Sequence, residues 1–151
     1  MRVIVYTRPD GGTSVCHPAW NDKLRPAGDT DDALLERCLT RIPADAVDVK
    51  IVEHDTIPLD RTFRDAWKQN ATKIEVDMPK AREIHMKRIR IARDKKLAEL
   101  DVNTMKALGR GDVEERNRVE MLKQTLRDLP ATFNLNVATP EELKALWPSE
   151  L

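Results

Sequence analysis

The stretch VDMPKAREIHMKRIRIARDKK, residues 76–96, decides how this chain folds. Asp77 has the chemistry of a helix N-cap, and Pro79 falls in the first turn, where its missing N–H costs nothing. No further Gly or Pro occurs until Gly109, so the spacing predicts a helix from Met78 to about Glu99. Ala81, Ile84, Ile91 and Ala98 form one stripe on it, interrupted by Arg88 and Lys95. An apolar face this narrow suits packing on one partner helix better than burial in a domain core.

Working outward, Asp101 is a plausible corner before a helix containing Val102, Met105 and Leu108. Gly109-Arg110-Gly111 should stop or kink it, since each glycine costs about 1 kcal/mol in a helix. Asp112 and Glu115 then make a capping-box pattern for a helix over Val113–Asp128, striped by Val119, Leu122, Leu126 and Leu129. The charged helices are expected to fold back as an antiparallel hairpin. Pro130–Val137 returns irregularly. Thr139-Pro140-Glu141-Glu142 caps a short helix carrying Leu143, Leu146 and Trp147, closed by Pro148.

Upstream, RVIVYTR (2–8) and Thr13–His17 flank the turn residues Pro9-Asp10-Gly11-Gly12, the pattern of a β-hairpin. Asp22–Asp32 reads as a loop. Thr30 or Asp31 can cap a helix over Ala33–Arg41, with Leu35, Cys38 and Ile42 on one face. VDVKIVE (47–53) alternates as a half-buried strand, with Val47, Val49 and Ile51 inward. LDRTFRDAWKQN (59–70) spaces Phe63, Ala66 and Trp67 as a short amphipathic helix, broken at Asn70-Ala71-Thr72, and Ile74 and Val76 read as extended. The expectation is an α+β chain: a ββαβ unit at 1–57, a linker with a short helix at 58–76, and a helical hairpin with a C-terminal anchor helix at 77–151.

Composition limits the function. The chain has 151 residues, 26 basic and 26 acidic side chains, and only six aromatic Phe, Trp and Tyr residues. Its core must be aliphatic and thin, which favours reliance on partners or further copies. No run approaches the roughly 20 apolar residues of a membrane span, and two cysteines make no disulfide framework. The N-terminal apolar run is too short for a secretory signal, so a soluble cytoplasmic product is expected. Charge is segregated: residues 78–99 hold eight cations against three carboxylates, while residues 1–57 hold seven against ten. A basic rod beside acidic segments can be neutralised within or between chains.

Candidate chemistry is sparse. Cys16, His17, Cys38 and His54 invite a zinc reading, but no CxxC or HxxxH spacing accompanies them, and no cofactor is expected. His85 on the charged helix is expected to be exposed. Gly109-Arg110-Gly111-Asp112 lacks the strand that precedes a phosphate loop. The basic face, Lys87, Arg88, Arg90, Arg93, Lys95 and Lys96 within the helix 78–99, supports an alternative reading as a nucleic-acid-binding accessory protein. Against it, no aromatic ring is interleaved for stacking and the sequence pI is about 6.8. The residues expected to grip protein partners are Phe63, Trp67, Ile84, Ile91, Leu122, Leu126 and Trp147.

At LDRTFRDAW, VDMPKAREIHMKRIRIARD, KQTLRDLP and EELKALWP the chain resembles a loose family of small tailed-phage and prophage proteins, known as tail or tail-fibre assembly proteins. The resemblance rests on Phe63, Arg64, Ala66, Trp67, Val76–Met78, Lys80–Ile84, Lys123, Gln124, Leu126–Pro130, Trp147 and Pro148, across the C-terminal two-thirds. It implies a non-enzymatic bacteriophage tail structural or fibre-assembly protein, in several copies, in the virion tail and in host cytoplasm during assembly. The cationic Met86–Lys96 segment departs from the more alanine-rich form of the family.

Overall fold

The computed structural model describes residues 1–71 and 73–151. The chain is α+β and divides into two compact units, Met1–Asp77 and Met78–Leu151.

In the first unit β1 (Arg2–Thr7) is the central strand of a three-stranded antiparallel sheet, ordered β2–β1–β3, with β2 at Thr13–Cys16 and β3 at Val47–Glu53. The turn between β1 and β2 needs a left-handed residue, and Gly11 supplies it at φ 76°. The Asp10 carboxylate accepts the Gly12 N–H at 2.8 Å, closing the turn. Alternate β1 side chains point to opposite faces, yet Val3, Ile4 and Val5 are all buried, so both faces of this strand are covered. Val3 and Val5 pack with Ile57, Trp67 and Ile74. Ile4 stands beside Cys16 and Ile51 on the other face, over which lies α1 (Asp31–Leu39), with Leu34 and Leu35 buried. Thr30 caps α1 by accepting the Ala33 N–H at 3.2 Å.

Residues 58–76 are therefore not a linker. Trp67 and Ile74 complete the first core, and the boundary falls at Asp77. The short helix expected there is one 3-10 turn, Arg64–Ala66, running into a two-stranded hairpin of β4 (Trp67–Gln69) and β5 (Ile74–Val76). Phe63, Ala66 and Trp67 are all buried, so the spacing was real, but extended pairing of Trp67 with Val76 replaces further helix. The break expected at Asn70–Thr72 ends on Thr72, which lies outside the described residues.

β3 also departs from expectation. Val47, Val49 and Ile51 are exposed, and Val52 is the strand's half-buried contribution to the core. Asp48 adopts φ 51° where the register with β1 shifts, a bulge that places Val47 opposite Thr7 and breaks the alternation. An edge strand at the margin of α1 has little left to bury against.

In the second unit α2 runs unbroken from Met78 to Arg110 and α3 from Val113 to Thr132. The expected corner at Asp101 is absent because the packed seam continues through it: Leu100 and Ala107 are buried and the Thr104 hydroxyl sits 3.1 Å from the Leu100 carbonyl. Gly111, at φ 67°, ends α2, and the Asp112 carboxylate caps α3 by accepting the Glu115 N–H at 2.9 Å. Lys123 meets Asp101 at 2.7 Å and Thr104 lies 3.2 Å from Glu120, pairings that set α3 antiparallel to α2. α3 is 20 residues long against 33, so it spans little more than half of α2. The earlier part is met by the returning chain and by α4 (Pro140–Ala145), whose capping box joins Thr139 and Glu142. Pro130 does not end α3, which continues for two residues beyond it.

The seam fixes how α2 is turned about its axis. Ala81, His85, Ile89, Leu100 and Ala107 are buried, whereas Ile91, about 200° round from Ile89 at 3.6 residues per turn, is exposed. Ile89→Ala should lower the unfolding free energy by about 2–5 kcal/mol, and Ile91→Ala by less than about 0.5 kcal/mol, measured by chemical denaturation. Equal losses would place the seam on another face.

Candidate functional site

The outward face of α2 is built by the same heptad arithmetic that fills its inner face. Ile91, Ala98, Val102 and Met105 follow one another at seven, four and three residues, so they stand in one line opposite Ile89, Leu100 and Ala107. Ile91 is 71% exposed, Val102 53% and Met105 69%. Arg88 and Lys95 occupy intervening positions of the line, both exposed. The result is an aliphatic ridge with cations set into it.

The residues expected to grip partners separate into two groups. Phe63, Trp67 and Leu126 are buried within their own units, so their apolar area is already used and they are not surface anchors. Ile84 is half-buried, while Ile91, Leu122 and Trp147 are exposed. Leu122 gives up its expected inward place on α3 to Lys123, whose stem lies in the seam and whose ammonium bridges Asp101 and Glu120 at 2.7 and 2.9 Å. Donating hydrogen bonds to the carboxylates of Asp101 and Glu120 raises the Lys123 pKa, and the same ammonium lowers that of Glu120. An aliphatic stripe omits such a lysine; Glu120, three residues before it on the same side of the helix, was the signal in the sequence, whereas Asp101 is brought to it by the fold.

The basic face is placed along α2 as expected, with Lys87, Arg88, Arg90, Lys95 and Lys96 exposed and Arg93 half-buried. Arg93 pairs with Asp94 at 2.7 Å and Lys96 with Glu99 at 3.8 Å, both on α2 itself rather than on a neighbouring helix. Lys87 and Arg90 line a shallow groove of about 420 Å³ with Arg82, Met86 and Leu135. The turn at Gly109–Asp112 leads into Glu114 and Glu115, the wrong sign for holding phosphate, and Glu115 is engaged by Arg118 at 2.7 Å.

His85 was expected at the surface and is instead buried. Its Nε2 lies 2.7 Å from the Leu146 carbonyl, so that nitrogen carries the proton and donates. The Trp147 ring meets the imidazole edge-on at 5.9 Å. With the Arg82 bond to the Val137 carbonyl at 2.7 Å, this ties the returning chain to the start of α2. A lone His between Ile84 and Met86 on a highly charged helix gives no sequence signal for such a role.

In the first unit His17 lines the same cleft as the two cysteines, Cys16 and Cys38, a cleft of about 430 Å³, and the His17 and His54 rings lie 5.5 Å apart. Among the described residues no group of three or more His, Cys, Asp or Glu side chains is placed to hold a metal ion. Burial, reinforced by Arg61, His54 and Arg64, lowers the His17 pKa. One cleft wall is braced by Asp29, which accepts two 2.7 Å bonds from Arg37 and one of 3.0 Å from Arg25. Among the described residues no helix is long and apolar enough to cross a membrane. Comparison with family models, with curated proteins and with solved structures gave no match.

Two outcomes follow from these contacts. The Arg37 and Arg25 bonds hold the Asp29 carboxyl at about 2, below its ordinary 3.8, so its stabilising contribution is complete above the ordinary value and fades as pH falls towards 2. The denaturation midpoint of the intact chain should therefore drop more steeply over that window than that of Asp29→Asn. His85→Ala, which leaves the Leu146 carbonyl without its donor, should cost about 1–3 kcal/mol in denaturant unfolding.

Proposed function

We propose that this chain is a non-enzymatic bacteriophage tail protein, a structural or fibre-assembly component, that works through protein–protein contacts on the outward face of α2. The observation that carries the reading is the line Ile91, Val102 and Met105, exposed on a helix whose opposite face is already filled by its own chain. Exposed aliphatic side chains in helical register favour a partner that covers them, and partner surfaces rather than enclosed cavities are what a tail component needs. The resemblance at Phe63–Trp67, Val76–Ile84, Lys123–Pro130 and Trp147-Pro148 supplies the phage context. The cation at Lys95 favours a partner surface that brings a carboxylate to the same line.

The test is assembly in the encoding phage or prophage with the double variant Ile91→Lys and Met105→Lys. Both positions are exposed, so helicity and thermal unfolding should match the unaltered chain. Incorporation into tails, or the yield of fibre-bearing particles, should fall by roughly tenfold or more, as expected when central apolar contacts are removed. Normal particle yield from the variant, together with normal yield in the absence of the protein, would overturn the reading. Tight duplex DNA binding that weakens steeply with salt would replace it with a nucleic-acid role for the basic face.

A further inference from the structure

Cys16 and Cys38 stand 22 residues apart in the sequence, on two different elements, and the fold brings them together. Cys16 ends β2 directly beside Ile4, which puts it on the sheet face that α1 covers. Cys38 follows Leu34 by one helical turn and shares its inward side of α1. Both are half-buried free thiols, both line the same open cleft, and their side chains share a hydrogen bond.

We propose that Cys16 and Cys38 form a thiol–disulfide exchange site, closed into an intramolecular bridge between β2 and α1 by a small disulfide of the glutathione type. The thiolate of one cysteine attacks a sulfur of oxidised glutathione, forming a mixed disulfide and releasing one glutathione thiolate. The second cysteine, as thiolate, attacks the protein-bound sulfur of that adduct. The mixed bond breaks, the Cys16–Cys38 bond forms, and a second glutathione leaves. In balance, the two protein thiols lose two protons and two electrons, and one oxidised glutathione becomes two reduced molecules. The cleft gives the reagent a way in, and the resolving thiol is already in contact with the attacking one. Burial, with Cys38 close by, pushes the Cys16 thiol pKa up, so exchange at neutral pH is slow and quickens as pH rises. In a reducing interior the pair stays open, and in oxidising surroundings it closes. This site is independent of the α2 face and of the tail reading.

The full chain is incubated with oxidised glutathione at about pH 6 and about pH 8, bracketing the onset of thiol ionisation, quenched with acid and weighed intact. A monomer lighter by about 2 Da is expected, with both cysteines protected from alkylation after denaturation. It should form faster at the higher pH and reopen with dithiothreitol. Its thermal midpoint should lie several degrees above that of the reduced chain, because the bridge restricts the unfolded segment 16–38. Cys16→Ser and Cys38→Ser should each stop at the mixed adduct, heavier by about 305 Da. A wild-type chain that accumulates the mixed adduct, that links into disulfide dimers, or that closes no faster folded than in denaturing urea would overturn the proposal.

Discussion

The burial of one side of α2, with Leu100 packed against Val119 and Leu126 of α3 and with Ile89 and Ala107 enclosed in line with it, is the constraint from which the second unit follows. An α-helix offers one side to a single neighbour, and once that side is chosen the rotation of every other residue is set. Choosing Ile89 turns His85 inward, to meet the Leu146 carbonyl, and turns Ile91 outward. It also brings Asp101 within reach of Lys123, so a charged group closes a seam that aliphatic side chains alone leave incomplete. Within the second unit Leu100 thus meets Val119 and Leu126, Thr104 meets Glu120, and His85 meets the Leu146 carbonyl. The outward ridge of α2 is what remains.

The first unit is organised around a different economy. β1 is short, yet both of its faces are covered, by α1 on one side and by the β4–β5 hairpin on the other. That arrangement lets a chain with few aromatic residues enclose a core, because Trp67 fills the space beneath Val3 and Val5 that a longer sheet would fill with many small groups. Recruiting Trp67 is what draws residues 58–76 into the unit. The cleft that holds the two cysteines lies on the opposite face, walled by the Arg25–Asp29–Arg37 group.

Much of this was legible in the sequence where local chemistry and pattern agree. Asp10 and Gly11 made the first hairpin, Thr30, Asp112 and Thr139 marked helix starts, and Gly111 marked the end of α2. The failures share one cause, competition decided by distant partners. Asp101 resembled a corner until Lys123 drew it into the seam. Phe63, Ala66 and Trp67 had helical spacing until Val76 offered Trp67 a strand partner. Of the stripe Ala81, Ile84, Ile91 and Ala98, Ile91 and Ala98 lie outward but Ala81 is buried, and nothing local distinguishes that stripe from the competing one through His85 and Ile89 that the rest of the unit covers. Ile91 of the outward ridge was therefore named among the gripping residues, while Val102 and Met105 were assigned to a separate helix beyond a break that does not exist.

The bulge at Asp48 has a bearing on how such a protein behaves in a crowd. β3 is an open strand edge with Val47, Val49 and Ile51 uncovered, the sort of border along which identical chains can zip sheet to sheet. A left-handed residue at its beginning twists that border out of true, and the lysine at position 50 sets a charge in its middle. Chains at high concentration would thereby stay separate folded bodies instead of merging into a shared fibrous sheet.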